Sequence, residues 1–247
     1  MTLHSKLRGI LLDIEGTTTP ISFVHEVLFP YARSRVKDFL TTNWHYAEVI
    51  SDVALLRQEQ EAESEVTLRN FAPAADQIEA TSNYVQWLID QDRKSTGLKS
   101  LQGKIWKQGY LDGTLAAPLF ADVRPALERL HQNGITIAIF SSGSVLAQQL
   151  LFAHTEAGDI TTLIDAYFDT TTGPKTAGES YRKIAAQLQH RPADILFVSD
   201  VAGELEAAKE AAMQTLFCIR PGNPPQSCPA HPAIHSFAEI LPMFSPG

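Results

Sequence analysis

Apolar positions follow two periodicities along the chain, and the order in which these alternate predicts the architecture. Residues 9–14, Gly-Ile-Leu-Leu-Asp-Ile, are a nearly continuous apolar run that ends among acidic and small residues, the pattern of a strand buried on both faces. Residues 123–133 follow helical spacing, with Pro125 in the first turn, Leu127 and Leu130 on one face and Gly134 just past the end. A second apolar run at 135–140 leads through Ser-Ser-Gly-Ser into the apolar-periodic segment 145–152. The unit recurs with a strand at 166–168 and a helix at 179–188, and again with a strand at 195–199 and an alanine-rich helix at 203–212. A run at 215–219 makes a fifth strand. Strands alternating with helices predict an α/β fold, a doubly wound parallel sheet of Rossmann-like form with helices on both faces.

Between the first strand and the helix at 123 lie roughly a hundred residues without a strand pattern, too many for a loop in a compact domain. Val24, Val27 and Leu28, then Val49, Val53 and Leu56, then Ile78, Val85, Leu88 and Ile89 recur at helical spacing. They predict a helical cap inserted after the first strand, so that 1–18 and 118–247 form the α/β catalytic core and 19–117 the cap. Pro221-Gly222-Asn223-Pro224-Pro225 predicts an irregular segment before a short closing helix at 236–241.

Charge and composition narrow the classes of function. A formal charge of −8 without any basic run disfavours nucleic acid, whose binding draws on clustered Lys and Arg. The apolar runs are too short to span a bilayer and residues 1–8 carry no secretory pattern, so no membrane partner and a cytoplasmic location are expected. The expected partner is a small molecule and the expected state a monomer. Cys218 and Cys228, the only two cysteines, have no metal-site spacing and read as packing or loop residues, and the eight histidines form no helical HxxxH pair.

The chemistry lies at the strand ends. Asp13, Ser141, Lys175 and Asp200 each fall just beyond, or soon after, a predicted strand, and the carboxyl edge of an open α/β sheet is where ligands bind. A lone Asp there is ordinarily a turn former or helix cap; four such groups on one edge are harder to dismiss. A phosphate monoester resists nucleophiles through its own negative charge. Asp13 and Asp200 at adjacent strand ends suit Mg²⁺, Lys175 adds positive charge, and Ser141 with nearby N–H groups suits the transferring oxygens. Ser141 and Ser142 also read as helix-capping residues, and a helix start serves both purposes.

In sequence order, Asp13-Ile14-Glu15-Gly16-Thr17, Phe140-Ser141-Ser142-Gly143, Gly173-Pro174-Lys175 and Val198-Ser199-Asp200 resemble the four signature motifs of the haloacid dehalogenase superfamily. The stretch 13–20, the segment 106–113 and the Ser-Ser-Gly-Ser turn look more narrowly like its enolase-phosphatase branch, which serves methionine salvage. The resemblance implies Asp13 as a nucleophile that becomes phosphorylated and Glu15 as the acid and base, where most of the superfamily has Asp. It implies Ser141, Ser142 and Lys175 as substrate-binding residues, and one Mg²⁺ held by Asp13, Asp200 and the backbone carbonyl of Glu15. The implied reaction enolises 2,3-diketo-5-methylthiopentyl-1-phosphate and then removes its phosphate, giving the acireductone.

Glu204 reads either as a group orienting the metal's water or as an exposed first-turn residue. His25, Glu26 and Tyr110 are conceivable partners of the enolisation step, and Phe23, Trp106 and Tyr110 conceivable walls of an apolar pocket; the structural reading comes first for each. Three rival readings stand beside this one: a phosphatase for another small metabolite, a metal-free dehalogenase, and a receiver-type signalling module. The receiver module is about half this length, and Glu15 with Asp200 argues against the dehalogenase.

Overall fold

A computed structural model of the chain describes residues 7–63, 76–93, 95–225 and 228–244. The chain divides into two compact units, Met1–Val24 with Ala116–Gly247, and His25–Leu115.

The first unit is built on a six-stranded sheet: β1 Gly9–Leu12, β2 Thr136–Phe140, β3 Ala166–Phe168, β4 Ile195–Ser199, β5 Gln214–Cys218 and β6 Ala233–Ile234. Their order is β3-β2-β1-β4-β5-β6, and every pairing is parallel. β1 is central, with Gly9 opposite Thr136 on one side and Ile195 on the other. The helices are α5 Val123–Gln132, α6 Val145–Ala153, α7 Gly178–Gln187 and α8 Ala202–Glu210; α1 to α4 belong to the other unit. Alternation along the strands sends Leu11, Ala138, Phe140, Phe197 and Phe217 to one face, where Tyr181 and Ile184 of α7 and Leu205 and Ala208 of α8 complete a core. The opposite alternation, Ile10, Leu12, Ile137, Ile139, Leu196 and Val198, is equally excluded from solvent. Both faces are therefore covered, as the unbroken apolar runs require.

The second unit is helical: a π-helical turn at Phe23–Leu28 leads into it, followed by α1 Phe29–Asn43, α2 Ala47–Glu61, α3 Gln77–Asp90 and α4 Thr96–Leu111. α1 packs on α3, and α2 on α4. Val49, Val53, Leu56, Val85, Leu88 and Ile89 are buried at the predicted spacing. The side chain of Asp76 caps α3 and that of Ser95 caps α4. A part-buried Lys104–Asp52 pair at 2.6 Å ties α4 to α2.

Two local expectations differ from the structure, and one short strand adds to the at least five predicted. Val27 is 41% exposed, because the first apolar triplet lies on the π-helical turn and not on a regular α-helical face. β6 is only two residues long, below what a periodicity reveals. The closing helix at 236–241 is replaced by two short 3₁₀ turns, Phe237–Glu239 and Leu241–Met243, with Pro242 at the start of the second.

Candidate active site

Because all strands run the same way, Asp13 after β1, Ser141 after β2 and Asp200 after β4 emerge at one edge of the sheet. The strand order reverses between β1 and β4, so Asp13 and Asp200 flank the switch point where such sheets bind ligands. Both carboxylates are only 4% exposed.

Lys175 arrives from the loop between β3 and α7. Its Nζ lies 2.6 Å from Asp13 Oδ1 and 2.6 Å from Glu204 Oε2. Ser199 Oγ lies 3.2 Å from Asp13 Oδ2 and 3.1 Å from Glu204 Oε2, so Asp13, Lys175, Glu204 and Ser199 form a closed ring. Ser199 has one proton for two acceptors, and its oxygen also accepts from Val201 N–H. Ile14 N–H donates to Asp13 Oδ1 at 2.8 Å. The loop carrying Lys175 is itself held: Ser180 Oγ donates to the Pro174 carbonyl and Tyr181 Oη to the Lys175 carbonyl, each at 2.7 Å.

Of the three buried carboxylates here, Asp13 and Glu204 share the Lys175 ammonium, while Asp200 is held by the Asn223 amide. Burial, then repulsion from Asp13, pushes Asp200 up to about 7. The same two causes raise Glu204, with Lys175 opposing them. Burial alone would lower the Lys175 pKa, but Asp13 and Glu204 hold it above its ordinary value.

Ser141 is buried and its Oγ accepts from Gly143 N–H at 3.1 Å, which leaves its own proton available to a ligand. Ser142 is half-buried on the same turn. The cap of α6 is Ser144, whose hydroxyl accepts from Ala147 N–H, so neither Ser141 nor Ser142 caps the helix. Glu15 is half-buried, in the turn that Gly16 N–H closes on the Thr19 carbonyl. Gly16 has φ +69, and a Cβ there would stand 2.3 Å from Asp200 Oδ2, so both backbone conformation and space demand glycine.

A family model described as haloacid dehalogenase-like hydrolase matches residues 7–212. The chain belongs to that family. Among its relatives, the enolase-phosphatase E1 of Synechococcus elongatus is 55% identical over 97% of this chain and 100% of its own. That of Klebsiella pneumoniae is 44% identical over 96% and 97%. The crystal structure of the UTR4 protein of Saccharomyces cerevisiae superposes with a TM-score of 0.76 at 32% identity, covering 93% of this chain and 98% of that one.

In this site the buried acids outnumber the buried base. A divalent cation fits that excess. Among the described residues no three His, Cys, Asp or Glu side chains are grouped to hold a metal, so two carboxylates with backbone and water oxygens are the donor set on offer. Oxygen donors of that kind suit Mg²⁺, which keeps much of its own water.

The structure also bears on the residues read ambiguously. Glu204 is buried in the ring, not exposed on the helix surface. Phe23, Trp106 and Tyr110 are at most 8% exposed, and Trp106 donates to the Leu28 carbonyl at 2.9 Å. His25 and Glu26 are exposed. Cys218 is buried and burial pushes its thiol up to about 12, so it is inert. Ser199 and Asn223 carried no expected role: a serine inside a strand and an asparagine in a Pro/Gly segment have no periodic signal.

Proposed function

We infer that this chain is an enolase-phosphatase of methionine salvage, acting on 2,3-diketo-5-methylthiopentyl-1-phosphate through a phosphorylated Asp13. The observation that carries the chemical part is the ring around Asp13, which fixes a carboxylate by Lys175, Ser199 and Ile14 N–H at the switch point of the sheet. The near-complete coverage of enolase-phosphatase relatives supports the substrate.

Asp13 attacks phosphorus, and the bond from phosphorus to the enol oxygen breaks. Glu15 gives its proton to that departing oxygen, then takes one from water as the water attacks the acyl phosphate. The bond from phosphorus to Asp13 breaks, releasing phosphate and restoring the carboxylate. Ser141, Ser142 and the N–H groups of their turn hold the phosphoryl oxygens, and Lys175 offsets their charge. Asp13, Asp200 and the Glu15 backbone carbonyl would hold one Mg²⁺, which would supply positive charge for the enolisation and for the phosphoryl transfer. The unit His25–Leu115 is the family's cap in this reading, and the enzyme works as a cytoplasmic monomer.

The test follows ultraviolet absorbance and phosphate release together on the diketo phosphate, with and without Mg²⁺. A conjugated enol that precedes phosphate, both needing metal, is the expected result. Phosphate released only from other small esters would keep the Asp13 phosphatase and remove methionine salvage.

A further inference from the structure

Beyond the four motifs, one more segment reaches the site. Arg220-Pro221-Gly222-Asn223 follows β5 and closes a tight turn: Asn223 N–H donates to the Arg220 carbonyl at 3.2 Å, and Gly222 has φ +86. Proline second and glycine third is the composition of a type II turn. Such a turn sets its first and last side chains close together, and here both grip the loop that bears Asp13 and Glu15. Arg220 Nε donates to the Thr17 carbonyl at 3.0 Å; Asn223 Nδ2 donates to the Gly16 carbonyl at 2.9 Å. The same Nδ2 donates its second proton to Asp200 Oδ2 at 2.9 Å.

Two acceptors on one atom fix which end of the Asn223 amide is nitrogen. Its Oδ1 is therefore the other end, and it is buried without a hydrogen-bond partner. A buried acceptor left bare is costly, and a native site retains one where something else supplies the donor. It stands one carbon from the group that holds Asp200, beside carboxylates whose charge is unbalanced. Mg²⁺ brings water, and water is the donor that fits.

We propose that Asn223 is a positioning residue for the divalent cation: its amide N–H groups lock Asp200 to the Gly16 carbonyl, and its bare Oδ1 accepts from water that accompanies the ion. This rests on the reading of Asp13 and Asp200 as the cation's carboxylates. With Oδ2 of Asp200 occupied by Asn223, the carboxylate is held in one orientation and Oδ1 is left for the cation it would bind. Partners of this kind behind a metal ligand are worth roughly tenfold to a hundredfold in affinity.

The test is calorimetric titration of the full chain with Mg²⁺ alone, beside thermal unfolding with and without Mg²⁺, for wild type, Asn223→Ala, Asn223→Gln and Asp200→Asn. The Gln variant keeps the amide but misplaces it, and stands in should Ala fold poorly. Both Asn223 variants are expected to bind Mg²⁺ at least about tenfold more weakly, and to lose most of the metal-induced rise in Tm while their metal-free Tm stays near wild type. Unchanged Mg²⁺ affinity with a lowered metal-free Tm would make Asn223 a structural residue and overturn the proposal. If Asp200→Asn binds Mg²⁺ as wild type does, the carboxylate reading falls, independently of Asn223.

Discussion

Two buried polar clusters sit in the α/β unit, and they are built on opposite plans. Around Arg220 the charges match: its Nη1 meets both oxygens of Asp122 at 2.9 Å, and its guanidinium lies 4.5 and 4.8 Å from the ring centres of Phe120 and Phe237. Asp122 takes further hydrogen bonds from Ser236 Oγ and Phe237 N–H, and its pKa is lowered: burial raises it, but these donors and Arg220 outweigh burial. Around Asp13 the charges do not match, and Asp200 and Glu204 are raised. A matched cluster fastens the fold; an unmatched one is held in tension by the rest of the protein and is the signature of a working site.

The comparison is broken most decisively at Asp13. Asp13→Asn should lower the rate of phosphate release on the order of a thousandfold or more while circular dichroism is unchanged, since an amide keeps the shape but is a poor nucleophile. Near-normal turnover in that variant would remove the proposed mechanism. Next in size is Arg220→Met in the matched cluster. It strands the Asp122 carboxylate, whose side chain is 21% exposed, and should cost up to about 3 kcal/mol, read as a fall in the denaturation midpoint. An unchanged midpoint would mean that the cluster adds nothing to the fold.

Asp200→Asn should act with the opposite sign. In the metal-free chain burial and Asp13 push this carboxyl from 3.8 up to about 7, so the folded state binds the proton more tightly than the unfolded one. Its contribution is therefore full below the lower value and is lost as pH rises through the higher. The metal-free variant should melt a few degrees above metal-free wild type at pH 8. The gap should narrow between about 7 and 3.8 and close below. A lower Tm at pH 8 would show that Asp200 is not strained. Smallest of all, Cys218→Ala should leave kcat/KM within about twofold and cost about 1 kcal/mol. Loss of activity in folded Cys218→Ala would expose an unrecognised thiol role.

These two clusters were unequally legible in the sequence. Asp13, Lys175 and Asp200 stand at the ends of strong apolar runs, where position itself announces a ligand edge, and their order matched a family. β1 to β5 and the helices between them were legible for the same reason, since buried parallel strands are unbroken apolar runs. Glu204 was left between two readings, because helical phase alone does not tell which side of α8 faces the site. Arg220, Asp122 and Asn223 had no signal: each is a single polar residue in ordinary surroundings, and their partners lie 98 positions away for Arg220–Asp122 and 207 for Asn223–Gly16. The π-helical turn at Phe23–Leu28 escaped because its apolar spacing imitates an ordinary helix.

The central place of β1 also governs how the chain is made. Its neighbours in the sheet begin at Thr136 and Ile195, so this intensely apolar strand has no partner until more than about a hundred further residues exist. At ribosomal speeds of roughly 5–20 residues per second that wait is on the order of ten seconds or longer. The helical unit, complete by Leu115, can mature in the meantime, leaving β1 as the stretch most in need of a chaperone during synthesis.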